Sequence, residues 1–396
     1  MKLLIVVSSL DLTQPFSATP AWWQLLKGLY EVGVEVIAAP YQGPPIESLW
    51  WRAESNPAKF QGDAFMFLRN IARNIAPSKP QSQMGDDAKE LPADKMARVI
   101  AQNTIAPLWL NHIDKLLTKE PDIDAVIFLT LPLNQLKGVA GEIQRRHQKP
   151  VFYYDGDVPA SLPILKGFYT GFRNYQGGDV SEFTAFISNS KGGCDLLMQM
   201  GAQAAHPLYF GVDPDVFAPL PYTVEQDIDI MYYGHGREYR AEWIDNMITE
   251  PSKKLADKRF AVRGKKLGDL GNTEMLPYLS FNKLREYTSR SKINLCITRG
   301  AHASVYASSS SRPLELASMR CCIVANPYNG IEEWLEPEKE VIVINSKEEA
   351  IDRYKFLLGN ESAREAMRQA AYERILKEHT FRHRAQQLTE IIQNYI

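Results

Sequence analysis

Short apolar runs separated by amphipathic stretches of helical length recur in both halves of this chain, and that alternation restricts it to parallel sheets flanked by helices. The first half offers Leu3–Val7, Val34–Pro40, Ala125–Leu129, Val151–Asp155 and Ala185–Ser188 as strands, with helices near 20–32, 94–119, 134–147 and 190–200. The second half repeats the pattern with Asp227–Gly234, Arg259–Gly264, Ile293–Ile297, Cys321–Asn326 and Val341–Asn345. A chain of 396 residues is more than one core usually holds, so two doubly wound α/β domains are expected. The junction falls in Pro207–Pro221, which mixes Gly, Pro and aromatics, whereas 41–93 is rich in Pro, Gln, Ser and Asp, and within it 77–92 in particular reads as an exposed loop.

Composition removes several classes of function. With 45 basic against 47 acidic side chains and no long basic block, a surface tracking nucleic-acid phosphates is not indicated. Cys194, Cys296, Cys321 and Cys322 lack a C-x-x-C spacing; they read as reduced core residues of a cytoplasmic protein, neither a disulfide frame nor a zinc site. The apolar start Leu3–Val7 is too short for a signal peptide and reads as a first buried strand. No window approaches the ~18 apolar residues of a spanning helix, so any membrane contact would be peripheral, through Trp22–Trp23 or Trp50–Trp51.

Chemistry concentrates between Ser308 and Ile344. Ser308, Ser309, Ser310 and Ser311 lead into a helix whose unsatisfied N–H groups and dipole favour an anion. Glu315, in the first turn, would repel a phosphate but suits the neutral vicinal hydroxyls of a ribose beside it; loop and carboxylate together point to a nucleotide. Upstream, Gly234-His235-Gly236-Arg237 closes a strand with a turn that backbone can bring close to a diphosphate, and Arg237, with Lys265 of the Arg263/Lys265/Lys266 cluster, could neutralise it. The turn lacks the third glycine of G-x-G-x-x-G, since Arg240 stands there, and a plain tight turn reads equally well. Arg299 opens a loop after Ile293–Ile297 and joins the donor candidates, with His235 and His302 nearby. Asp155-Gly156-Asp157, straight after a strand, either holds a divalent cation, supplies a general base for an acceptor hydroxyl, or forms an Asx-turn before Pro159. His379 and His383 are spaced i, i+4, but Thr380 as an N-cap would separate them, and no metal is assigned.

From about residue 206 onward the chain resembles the C-terminal domain of GT-B glycosyltransferases. Arg312, Glu315, Ser318 and Arg320 stand in the family's R-x-x-E-x-x-A-x-G pattern, followed by the strand Cys321–Asn326, a P-x-x-G-I-E-E turn at Pro327–Glu333, and an H-T-x-x-x-R ending at His379, Thr380 and Arg384. Gly211–Pro219 is similar to the interdomain segment of retaining sugar-nucleotide transferases. Over the first 205 residues the resemblance is architectural only. One departure stands out: the family's E-x7-E pair would place a carboxylate eight residues before Glu315, and that position is Ala307.

The resemblance implies two Rossmann-like domains facing across a cleft: 1–206 for the acceptor, 207–380 for the nucleotide-sugar donor, and 381–396 crossing back to the first. It implies transfer of a sugar from a nucleotide diphosphate sugar to an acceptor hydroxyl, without metal or cofactor, the nucleotide sugar being a co-substrate. Glu315, Arg237, Gly236, Lys265, Arg299, Ser309, Ser310, Ser311 and Arg312 would hold the donor, and Asp157 or Asp155 would serve catalysis. Retention of configuration follows from the family, although Ala307 weakens it. The acceptor, whether glycan, lipid-linked, protein or small molecule, is not specified. Two alternatives share the reading: a sugar-nucleotide epimerase of the same fold, and a non-catalytic sugar or nucleotide binding protein.

Overall fold

The computed structural model describes residues 1–12, 20–62, 92–164, 174–236, 240–277 and 280–396. It divides into two compact units, the first formed by Met1–Gln14, Leu25–Tyr209 and Ala385–Ile396, the second by Pro15–Gln24 and Phe210–Arg384.

The first unit is built on a sheet of β1 (Lys2–Ser9), β2 (Glu35–Gln42), β3 (Arg52–Ala53), β4 (Ala125–Leu129), β5 (Val151–Asp155), β6 (Ala185–Ser188) and β7 (Ala205–Pro207) in the order β3-β2-β1-β4-β5-β6-β7. Every pairing is parallel. Parallel neighbours need crossovers, and helices at Ala21–Glu31, Pro92–Lys119, Val139–His147 and Lys191–Gln199 supply them. They cover both faces, which is why β4, β5 and β6 are buried at every residue and read as unbroken apolar runs. Tyr153 of β5 meets Tyr175, Phe183 and Phe186 at ring-centroid distances of 5.3–5.9 Å. The C-terminal tail packs on this unit too, with Tyr395 edge-on to Phe152 at 5.5 Å and its hydroxyl 2.7 Å from His206 Nε2.

The second unit repeats the plan with β8 (Ile228–His235), β9 (Phe260–Lys265), β10 (Glu274–Met275), β11 (Ser291–Cys296), β12 (Ile323–Ala325) and β13 (Ile342–Val343), ordered β10-β9-β8-β11-β12-β13 and again all parallel. In both sheets the strand order reverses once, between β1 and β4 and between β8 and β11. Ligands bind outside the carboxyl ends of strands at such switch points, which directs attention to the residues following β8 and β11. Among the described residues, no helix is long and apolar enough to cross a membrane.

Two local networks hold the second unit. At its carboxy-terminal end, Val212 forms a parallel bridge with Thr380: Val212 N–H donates to His379 O at 3.1 Å and Phe381 N–H to Val212 O at 3.0 Å. Arg384 fixes the bridge by donating to Phe210 O at 3.0 Å, its Nη2 lying 2.5 Å from His379 Nδ1. That accounts physically for the His379-Thr380-x-x-x-Arg384 pattern. Gly211 is obligatory, because a Cβ there would stand 2.6 Å from Phe381 N.

At the amino ends of the strands, Asp227 accepts from Arg290 at 2.5 and 2.7 Å and from Arg259 at 2.5 Å. Arg290 chiefly, with Arg259, holds the carboxyl down at about 2. A depressed carboxylate pKa stabilises the fold above the ordinary value of 3.8, and the contribution is lost as pH falls through about 2. We expect Asp227→Asn to cost about 1 kcal/mol near neutral pH, after allowing for solvent screening of this partly exposed cluster. Urea-unfolding midpoints of wild type and variant should begin to converge below pH ~4 and meet toward pH ~2; a constant gap would refute the electrostatic origin.

Candidate donor site

The carboxyl ends of β8 and β9 are joined through glycine. A Cβ on Gly264 would lie 2.0 Å from Gly234 O, so the two strands touch backbone to backbone. Gly236 turns the chain with φ +73, a conformation that suits a residue without Cβ. Its N–H donates to Lys265 O at 3.2 Å, so the turn spends this donor internally instead of offering it to a phosphate. Lys265 is exposed at the end of β9. Arg237 lies outside the described residues.

After β11, Thr298 N–H donates to the buried Asn326 Oδ1 at 2.7 Å, and Asn326 Nδ2 returns a bond to Pro327 O at 3.2 Å. This side-chain tie sets the direction in which the chain leaves the strand. Arg299 follows at the start of the helical turn Gly300–Ser304 and lies 3.3 Å from His302 Nε2 through its Nη2. Burial first, then the neighbouring Arg299 and Arg240, push the His302 pKa well down, so the ring is neutral and can accept from Arg299.

The helix Ser311–Ser318 begins after Ser310, which is extended and makes no side-chain capping bond. Pro313 is accommodated because a first-turn N–H has no intrahelical acceptor. Ser309, expected at the donor, serves the fold instead: it is buried, and its hydroxyl accepts from Phe210 N–H at 2.8 Å. The adjacent Ser308 hydroxyl donates to Val305 O at 2.8 Å. Ser310 and Ser311, both half-buried, are the serines left beside the helix start.

Three side chains converge there. The Arg312 guanidinium carbon lies 3.4 Å from the centroid of the Tyr233 ring, a cation–π stack on a residue near the end of β8. Arg312 Nη1 is 3.7 Å from Glu315 Oε2, beyond hydrogen-bonding range. Glu315 is 5% and Tyr233 3% exposed. Yet Glu315 Oε2, Arg312 Nη1 and the Tyr233 hydroxyl are buried atoms without a hydrogen-bond partner. Buried polar atoms are normally paired, so the cluster has the chemistry of a site that a polar ligand completes.

Ala307, where the family's first carboxylate would stand, is sealed. It is 0% exposed, has φ +47, and donates its N–H to Asn329 O at 2.9 Å. Gly330 packs on it so closely that a Cβ there would fall 2.4 Å from Ala307 N. The substitution Ala307→Glu should therefore lower stability by about 3 kcal/mol or more, through overpacking and a buried charge, without raising turnover. Denaturant unfolding checks the first half of that statement and a transfer assay the second.

In the first unit, Asp155 and Asp157 part company. Asp155 is fully buried; its Oδ2 accepts from the hydroxyls of Ser161 and Tyr175, each at 2.5 Å, and its Oδ1 from Asp157 N–H at 2.9 Å. Burial raises its pKa, against the hydrogen bonds from Ser161 and Tyr175. It organises the loop after β5 and has no free approach for an acceptor hydroxyl, which corrects its expected catalytic role. Asp157 is half-buried at the carboxyl end of the sheet. Among the described residues no group of three or more His, Cys, Asp and Glu side chains is disposed to hold a metal ion.

Comparison with solved structures identifies the architecture. The E. coli trehalose-6-phosphate structure bound with UDP-2-fluoro glucose aligns with TM-score 0.66 at 9% identity, covering 99% of each chain. Sucrose-phosphate synthase from Thermosynechococcus elongatus aligns with TM-score 0.65 at 12% identity, covering 99% of this chain and 98% of that one. The fold is GT-B. Anabaena HepE in complex with UDP and glucose aligns over the full length of both chains, with TM-score 0.59 at 11% identity. Residues 237–390 match the family described as glycosyl transferase-like, a stretch that includes the helix carrying Arg312 and Glu315. No curated protein matches by sequence.

Tyr233 meets this helix through Arg312, while Asn326 and the neutral His302 order the chain after β11. Sequence reasoning missed the first two: Tyr233 reads as one more apolar strand residue and Asn326 as a strand end, and only the fold brings them to Arg312 and Thr298.

Proposed function

We propose that this chain transfers a sugar from a nucleoside diphosphate sugar to an acceptor nucleophile, with the donor held by the second unit. The observation that carries the reading is the buried, unpartnered Glu315 carboxylate oxygen, which the structure places in the second turn of the helix Ser311–Ser318 and not in the first turn expected from sequence, within the segment that matches the glycosyl transferase-like family. A carboxylate accepts from the two hydroxyls of a ribose. The helix start at Ser310–Ser311 and the cations Lys265, Arg299 and Arg237 would take the diphosphate and stabilise it as it leaves. Asp157 would accept the acceptor proton.

Metal independence belongs to the same proposal. Asp155 is committed to Ser161 and Tyr175, which removes one member of the D-x-D pair, and the leaving charge is met by cationic side chains instead. Retention of configuration is also proposed, achieved without a carboxylate toward the donor sugar, since residue 307 is alanine. Two of the aligned structures carry UDP-2-fluoro glucose or UDP and glucose, so uridine diphosphate sugars are the first donors to try.

The test is a melting-temperature panel of nucleoside diphosphates and their sugar conjugates in EDTA, followed by NMR assignment of the anomeric product. A ligand that binds only the folded state raises the melting temperature. Stabilisation in EDTA that disappears in Glu315→Ala supports the reading. Stabilisation that requires Mg²⁺ and is lost in Asp157→Asn would transfer the nucleotide to the D-x-D carboxylates and overturn it.

A further inference from the structure

The guanidinium carbon of Arg312 lies over the Tyr233 ring, 3.4 Å from its centroid. Neither residue is otherwise satisfied: the Tyr233 hydroxyl and Arg312 Nη1 are both buried without a hydrogen-bond partner. Glu315 Oε2 shares that condition and sits 3.7 Å from Nη1, too far for a direct bond and close enough for one ligand oxygen to serve both. The three atoms differ in kind. Arg312 Nη1 only donates, ionised Glu315 only accepts, and the tyrosine hydroxyl does either.

We infer that Tyr233 is a positioning and specificity-determining residue, which stacks Arg312 into place so that Arg312, Glu315 and the Tyr233 hydroxyl together recognise a vicinal diol. A hydroxyl can donate to Glu315 while accepting from Arg312, so a diol satisfies all three atoms; a phosphate oxygen, which cannot donate, would satisfy Arg312 and be repelled by Glu315. This inference rests on the nucleotide-donor reading and deepens it, since the diol is then the ribose of the nucleoside diphosphate. It also assigns Arg312 to the ribose end of the donor, leaving the diphosphate to other cations.

The consequence is strong discrimination against a ligand lacking the hydroxyls, because a site built to hydrogen-bond them is left with unpaired buried groups. The experiment is isothermal titration of full-length wild type, Tyr233→Phe, Tyr233→Leu and Arg312→Lys with UDP, GDP, ADP and CDP, and with their 2′,3′-dideoxy forms. Wild type should prefer the best ribonucleotide over its dideoxy form by at least about 100-fold. Tyr233→Phe keeps the stack and should retain a preference of about tenfold or more, whereas Tyr233→Leu should flatten it to within about twofold, mainly by weakening the ribonucleotide. Arg312→Lys, which loses the planar stack, should follow Tyr233→Leu. A purely structural Tyr233 would lower affinity for both forms alike and leave the ratio unchanged; that result, with each variant's melting curve showing a folded protein, overturns the inference. Wild type that binds none of the nucleotides overturns the donor reading itself, a different outcome from binding with an unchanged ratio.

Discussion

Replacing Glu315 by alanine is expected to weaken nucleoside diphosphate binding about 10- to 100-fold, the range for losing a hydrogen-bonded charged acceptor. Turnover should fall with it, because a misplaced ribose moves the whole donor relative to the reacting groups. The effect should separate from folding. Glu315 makes no short ion pair, its nearest cation being 3.7 Å away, so the fold does not depend on it as it would on a tight salt bridge. Glu315→Gln sharpens the test, since it keeps the shape and one acceptor oxygen but removes the charge; its affinity should fall between wild type and Glu315→Ala. Calorimetric titration and melting temperature on the same preparations check both statements. Unchanged affinity in Glu315→Ala would place the nucleotide elsewhere.

The largest effect on stability is expected at Asp155. Alanine there orphans two hydroxyls and one amide N–H in the core, those of Ser161, Tyr175 and Asp157. With about 1–3 kcal/mol for each buried group left unsatisfied, the variant should lose at least 3 kcal/mol and unfold at markedly lower denaturant. Asp155→Asn should recover part of the loss, because hydroxyls can reorient toward an amide oxygen. Asp157→Asn makes the contrast: on the half-exposed side of the same loop it should change stability by less than about 0.5 kcal/mol and reduce transfer about 100-fold or more if it is the general base. If instead Asp155→Ala is stable and Asp157→Asn fully active, both assignments fail.

The fold was largely legible because its signal is physical and local. Strands buried on both faces appear as unbroken apolar runs, and ten such runs were visible, among them β1, β4, β5 and β8. What escaped were β3, β7 and β10, two or three residues each at sheet edges, where pairing is decided by the neighbouring strand and leaves no periodicity of its own. The site was legible in part. Glu315 and Arg312 stood out as candidates by charge in an apolar helix, and the fold adds that they lie side by side, Glu315 buried and Arg312 stacked on Tyr233. Serine composition, by contrast, misled: four serines in a row look alike in sequence, yet Ser308 and Ser309 hold the loop and only Ser310 and Ser311 border the helix start. The D-x-D pair misled for the same reason, since neighbouring aspartates in sequence point into environments that only tertiary structure distinguishes.

The bridge between Val212 and Thr380 bears on the order in which the protein is made. The second unit opens at Phe210 and closes at Arg384, its two ends stitched side by side. The first unit, however, is finished only by Ala385–Ile396, whose Tyr395 seals Phe152 and His206. Domains on a growing chain generally fold from the amino end onward. Here the amino-terminal sheet emerges first and still lacks residues 385–396, so the whole of the second unit is synthesised before the first can take on that segment.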